Sequence, residues 1–293
     1  MNEAVEREAL TEGENPLGIE GVEYVEYQTG RPQALGHVLE LMGFSPVARH
    51  RSREVLLYRQ GAMNVIVNAH AATGGAPPEH PRLTAVALRV RDAAAAHRHA
   101  LDLGAWDVPV RVQPMELHIP AIRGVGSSRI YFVDRWREFS IYDVDFVPVP
   151  GVDLHPPALA GLHGFGVVQY IGLERTQDWI AFYRSILGFE LMGDDRETGV
   201  LPSGCVLRSP DGSLHLQLIE PPGDMADGQE WLQRVAFGAP DVPAAAAALR
   251  ARGVQFVDTA TLHVEVRGAL TQSWLGGLMF ELVHHDAPAA PAR

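Results

Sequence analysis

The chain contains one cysteine, Cys205, among 293 residues. An intrachain disulfide and a cysteine-based zinc site both need more thiols than that, so both are excluded. Cys205 reads as a small apolar residue on a strand. No apolar run approaches membrane-spanning length and no early stretch reads as a signal peptide, so the expected compartment is the cytoplasm. Runs of lysine or arginine are also missing. The 24 basic and 36 acidic residues leave a net charge of −12, which argues against nucleic acid and anionic membrane as partners. What remains is an ordinary globular composition, 46% hydrophobic and 20% charged. It suffices for one large domain or two medium ones with ample core.

Read in order, the chain repeats itself. Residues 21–27 alternate as a strand, residues 32–41 carry Leu35, Val38, Leu39 and Leu41 at helical spacing, and two apolar stretches flank a Gln60-Gly61-Ala62 turn. Strand then helix returns at 83–90 and 92–103, at 167–171 and 177–187, and at 232–237 and 242–251, each followed by further strands. Glycines at 43, 104, 188 and 253 stop the helices and mark an internal repeat of about sixty residues or more. The runs of alanine at 93–96 and 244–248 are helix-forming sequence and imply no site. A helix covering one face of a small sheet leaves the other free to form a pocket.

The expected architecture is therefore α+β, with four βαβββ units paired into two halves. Residues 1–18 read as a tail, 19–147 as the N-terminal half, and 148–160, with Pro148, Pro150, Pro156 and Pro157, as a linker. Residues 161–286 read as a C-terminal half carrying the pocket, and 287–293 as a second tail. Edge strands make a homo-oligomer an expectation.

Glu281 sits in an apolar strand, Leu278-Met279-Phe280-Glu281-Leu282-Val283. Alternation puts Met279, Glu281 and Val283 on one face and Leu278, Phe280 and Leu282 on the other. A carboxylate buried there needs a cation or a metal; the alternative is a carboxylate in open water.

The repeat resembles the vicinal-oxygen-chelate superfamily, and more closely the 4-hydroxyphenylpyruvate dioxygenases. Residues 21–27, 50–55, 57–61, 65–69, 179–183 and 280–283 carry that resemblance. Residues 121–126 and 140–146 look closer still to a dioxygenase-like domain fused to some bacterial dehydroshikimate dehydratases. The resemblance covers most of residues 19–285 and implies two paired vicinal-oxygen-chelate halves. It also implies Fe(II) held by two histidines and a glutamate, acting on an aromatic 2-oxo acid and dioxygen. Glu281 falls on the glutamate position, while Gly166 and Arg234 fall on the two histidine positions. Arginine has no lone pair to give a metal. His163 is the nearest histidine to the first position, but a three-residue offset reverses its strand face. Few residues follow Glu281, where the family continues into a closing helix, so water exclusion would need another device.

If family geometry holds, Arg234 and Glu281 meet in one pocket as an ion pair, with Arg234 able to take a ligand carboxylate. On Leu214-His215-Leu216-Gln217-Leu218 the leucines would face a helix and His215 and Gln217 the pocket. His215 is a candidate acid or base, and Gln217, Gln272 and Arg234 are candidate substrate contacts. His215, Gln217 and Glu281 form an alternative rearranged metal set. Against these stand blander readings: Arg234 as a surface arginine, His215 as a hydrogen-bonded pocket residue, His163 as part of the linker end, and His284 and His285 as solvated strand-end residues. Three functions follow as alternatives. They are a metal-free relative taking a small anionic aromatic or 2-oxo acid, an Fe(II)-dependent dioxygenase with rearranged ligands, and a non-catalytic binding module.

Overall fold

The computed structural model describes residues 15–70, 76–109, 116–137, 139–193, 204–220, 229–257 and 268–286. Most of the two terminal tails lies outside them.

Four units follow one another. The first is β1 (Ile19–Gln28), α1 (Pro32–Leu41), β2 (Ser45–His50), β3 (Val55–Gln60) and β4 (Met63–Asn68). The second is β5 (Arg82–Val90), α2 (Ala93–Asp102), β6 (Ala121–Arg123) and β7 (Arg129–Val133), with α3 (Ile141–Asp145) and β8 (Phe146–Pro148) appended. The third is β9 (His163–Tyr170), α4 (Thr176–Leu187), β10 (Glu190–Leu191), β11 (Cys205–Arg208) and β12 (His215–Ile219). The fourth is β13 (Trp231–Ala239), α5 (Val242–Ala251), β14 (Gly268–Leu270) and β15 (Phe280–His284).

The repeat is one of pairing as well as order. In every unit the first strand lies parallel to the last: β1 with β4, β5 with β7, β9 with β12 and β13 with β15. First strands then pair antiparallel, β1 with β5 and β9 with β13, which makes the two halves. A short contact of β13 with β5, at Leu232 and Leu83, joins the halves into one 15-stranded sheet.

Local chemistry explains the helix limits. Asp92 and Asp241 cap α2 and α5, their carboxylates accepting from the Ala95 and Ala244 backbone N–H groups. After each long helix the chain turns through a glycine with left-handed φ, +96° at Gly43, +92° at Gly104, +71° at Gly188 and +97° at Gly253. Strand β2 is absent from the sequence reading because Pro46, Arg49 and His50 break its alternation.

All four long helices cover the same side of the sheet. Leu35, Ala96, Tyr183 and Leu249 from them share one core with Tyr27, Leu88, Leu216 and Phe280 from the strands. Among the described residues no long helix covers the other side of the sheet. In the N-terminal half it carries a separate cluster including Tyr24, Leu57, Ile66, Ile141 and Phe146; in the C-terminal half, Ala236 and Val283.

Candidate functional site

The helix-free face of the C-terminal half is built in rows across four strands. Glu281 on β15 stands beside Ala236 on β13, Ala236 opposite Gly166 on β9, and Gly166 beside His215 on β12. One step along, Arg234 lies opposite Val168, which lies beside Gln217. Side chains in register share a face, so Glu281, Arg234, His215 and Gln217 project to the same side. The leucines of β12 join the helix-covered core, while His215 and Gln217 are buried on this one.

Arg234 and Glu281 are 2% and 1% exposed. The guanidinium donates from Nε to Glu281 Oε2 at 2.6 Å and from Nη1 to Gln233 Oε1 at 2.7 Å. Its Nη2, also buried, meets no hydrogen-bond acceptor among the described residues. A bulge makes this placement possible. Between Leu232 and Arg234 the register of β13 slips against β9. Leu232 therefore faces the helices while Arg234, two residues on, faces away.

A second bulge recruits a histidine. Gly166 lies opposite Ala236 but Gly164 opposite Phe237, so His163 comes opposite Gly238. The extra residue on β9 returns His163 to the face of Ala236, which corrects the expected reversal. Its ring lies over Gly238, where a Cβ would come within 2.2 Å of Nε2. His163 Nε2 is 3.0 Å from His285 Nδ1, and the His285 and His215 ring centres are 5.8 Å apart. Burial, then neighbouring His163, holds His285 below the usual histidine pKa. His285 is thus half-buried and bonded, not the solvated strand-end residue expected; His284 is exposed. Sequence reasoning missed this pair because the bulge that turns His163 to this face is invisible to a two-residue period.

Gln272 is exposed beyond β14, its backbone N–H bonded to the Gln255 carbonyl, and is not among the buried residues of this face. Gln169 turns to the helices and accepts from the Tyr183 hydroxyl at 2.9 Å. A cavity of about 720 Å³ lined by Trp106, Arg123, Arg175 and Trp179 includes none of Arg234, Glu281 or His215.

The residues at the three expected iron positions do not form a two-histidine, one-carboxylate donor set. Arg234 is a cation without a lone pair, and Glu281 accepts its Nε–H. Gly166 offers no donor, and a Cβ there would stand 2.3 Å from the His215 carbonyl oxygen, so this backbone admits no side chain. Among the described residues no three His, Cys, Asp or Glu side chains are grouped to hold a metal ion.

Comparison with known proteins gives the chain its relatives. The family described as "Hydroxyphenylpyruvate dioxygenase, HPPD, N-terminal" matches residues 13–147. That described as "Glyoxalase/Bleomycin resistance protein/Dioxygenase superfamily" matches residues 170–271. A 4-hydroxyphenylpyruvate dioxygenase from a Pseudomonas species is 37% identical over 265 residues, covering 83% of this chain and 72% of its own length. A 3-dehydroshikimate dehydratase from Pseudomonas aeruginosa is 35% identical over 213 residues, 68% of this chain but 32% of its own length. A xylose isomerase-like TIM barrel/4-hydroxyphenylpyruvate dioxygenase fusion protein superposes with a TM-score of 0.73 at 24% identity, covering 98% of this chain and 53% of that one. A 4-hydroxymandelate synthase variant from Streptomyces coelicolor, 17% identical and covering 91% and 93%, gives 0.72. Dioxygenases of this family are Fe(II)-dependent. With both halves of the fold and most of its length accounted for, the chain belongs to the 4-hydroxyphenylpyruvate dioxygenase family of the vicinal-oxygen-chelate superfamily.

Proposed function

We propose that this chain is a member of the family whose iron site is eroded. In this reading it binds, or transforms without dioxygen, a small aromatic or 2-oxo acid on the helix-free face of the C-terminal half. The observation that carries the reading is the buried Arg234–Glu281 pair at 2.6 Å. A carboxylate already bonded to a guanidinium, with a glycine that has no room for a side chain two strands away, does not supply an Fe(II) site. Arg234 keeps an Nη2 without an acceptor among the described residues, and a ligand carboxylate oxygen would satisfy it. His215 is the candidate acid or base, and Gln217 a candidate contact, from β12, which β9 separates from the strand of Arg234.

Metal analysis coupled to oxygen uptake tests this. The purified protein is expected to hold little iron and to consume no oxygen with 4-hydroxyphenylpyruvate. Calorimetric titration with phenylpyruvate is expected to show one saturable site. Stoichiometric iron together with turnover would overturn the reading in favour of the rearranged-ligand dioxygenase. A second reading, a non-catalytic module, draws on the two relatives in which the matching region is part of a longer chain. No heat with any arylpyruvate would favour it.

A further inference from the structure

The face of the N-terminal half turned away from the long helices holds a cavity of about 430 Å³, a size suited to a small molecule. Its floor includes Val47 and Leu57, each 1% exposed, and its walls include Trp136, Tyr142 and Phe146. Polar groups are set among them. Glu23, 2% exposed, accepts from Arg89 Nε at 2.6 Å, and the Asn64 amide donates to the Glu23 backbone carbonyl at 2.9 Å. The Tyr142 hydroxyl is buried near the Glu23 carboxylate.

The charges of this lining do not cancel. Glu23 neutralises Arg89, and Arg137 pairs with Glu20 at 3.0 Å. Asp143 is exposed and accepts from the Ser140 N–H and hydroxyl, closing the capping box of α3. Arg59 differs. Its Nε donates to Asn64 Oδ1 and its Nη1 to the Leu154 carbonyl, both at 2.8 Å, and its guanidinium lies 5.4 Å from the centre of the Tyr142 ring. Both acceptors are neutral, and no carboxylate lies within ion-pair range of Arg59 among the described residues.

A half-buried cation without a counter-ion, in a cavity whose lining sets polar groups beside Leu57, Tyr142 and Phe146, is a recognition site for an anion with an apolar body. We infer that the N-terminal half binds a second ligand, a small carboxylic acid carrying one ring, with its carboxylate at Arg59 and its ring among Leu57, Tyr142 and Phe146. This site stands apart from the Arg234–Glu281 face, so neither reading depends on the other.

The probe is benzoate, with neutral benzyl alcohol as control, titrated into the full ¹⁵N-labelled chain. The readout is the indole N–H signal of Trp136, assigned by Trp136→Phe, which is local to this cavity. Benzoate is expected to shift that signal to saturation while benzyl alcohol does not. Arg59→Met should weaken benzoate binding at least tenfold, and Arg59→Lys less so, because the charge stays and the planar fork is lost. Ala62→Phe, at an exposed turn position on the cavity lining, should weaken it as much without touching the charged groups. It decides the matter if Arg59→Met fails to fold. A folded protein whose Trp136 signal does not saturate with benzoate overturns the inference. So does equal binding of benzyl alcohol, or undiminished binding by Arg59→Met or by Ala62→Phe.

Discussion

Arg234 and Glu281 form a pair whose two members do not have equal consequences when removed singly and together. Taking two charges from water costs several kcal/mol each, and their attraction offsets this only with good geometry, here a 2.6 Å contact between residues 2% and 1% exposed. Removing one partner leaves the other charged and buried. Arg234→Met is therefore expected to cost about 3–5 kcal/mol, whereas Arg234→Met with Glu281→Leu should regain most of that loss. Urea unfolding of the two variants measures it. A single variant as stable as the parent would mean that Glu281 is solvated. His285 supplies a pH dependence. Burial lowers its folded pKa below the ordinary value near 6.5, so the unfolded chain binds the proton more readily. The neutral ring's contribution is complete above the unfolded value and is lost as pH falls through the folded one. Melting temperature should drop as pH falls below that of ordinary histidine, and His285→Gln should flatten that part of the profile. An unchanged slope would remove His285 as its source.

At the scale of the element, what the sequence disclosed and what it hid divide along periodicity. The four long helices were legible because their apolar spacing and stop glycines are local. The face of Glu281 was legible for the same reason, since β15 pairs with β13 in unbroken register. Arg234 and His163 were not legible by alternation, because each lies next to a register shift between β9 and β13. Arg234 was found through resemblance, not through its period, and His163 was assigned to the wrong face. A bulge is fixed by long-range pairing, so a local window does not contain it. The caps give a local prediction. Asp92→Ala and Asp241→Ala should each cost about 1 kcal/mol, and about twice that together, since they cap helices in different halves. Denaturant titration of both single variants and the double checks this; strong non-additivity would mean the helices are not independent.

The whole molecule poses a question that its repeat does not answer: whether two similar halves behave as one body. The sequence suggested two halves with a proline-rich linker, and pairing of first strands accounts for each. The joining contact between β5 and β13 is short, a single registered pair of Leu83 with Leu232. Side chains do more than the sheet. Phe44 from the first unit packs on Phe237 from the fourth at 5.8 Å, Phe237 on Phe280 at 5.6 Å, and Tyr27 on Phe280 at 6.4 Å. These rings lie in the one core to which all four long helices contribute. No helix among the described residues is long and apolar enough to cross a membrane, and the long helices bury their apolar stripes in this core. A continuous core of aromatic rings couples the halves more strongly than one strand pair does, because each ring buries large area and its loss leaves a cavity on both sides. Phe237→Ala should thus cost about 3–5 kcal/mol and lower the protection of β1 and β13 together. Hydrogen exchange followed by peptide mass measurement reads both strands in one experiment. If exchange rises in β13 while β1 keeps its parental protection, the halves unfold separately and the shared core does not bind them into one cooperative unit.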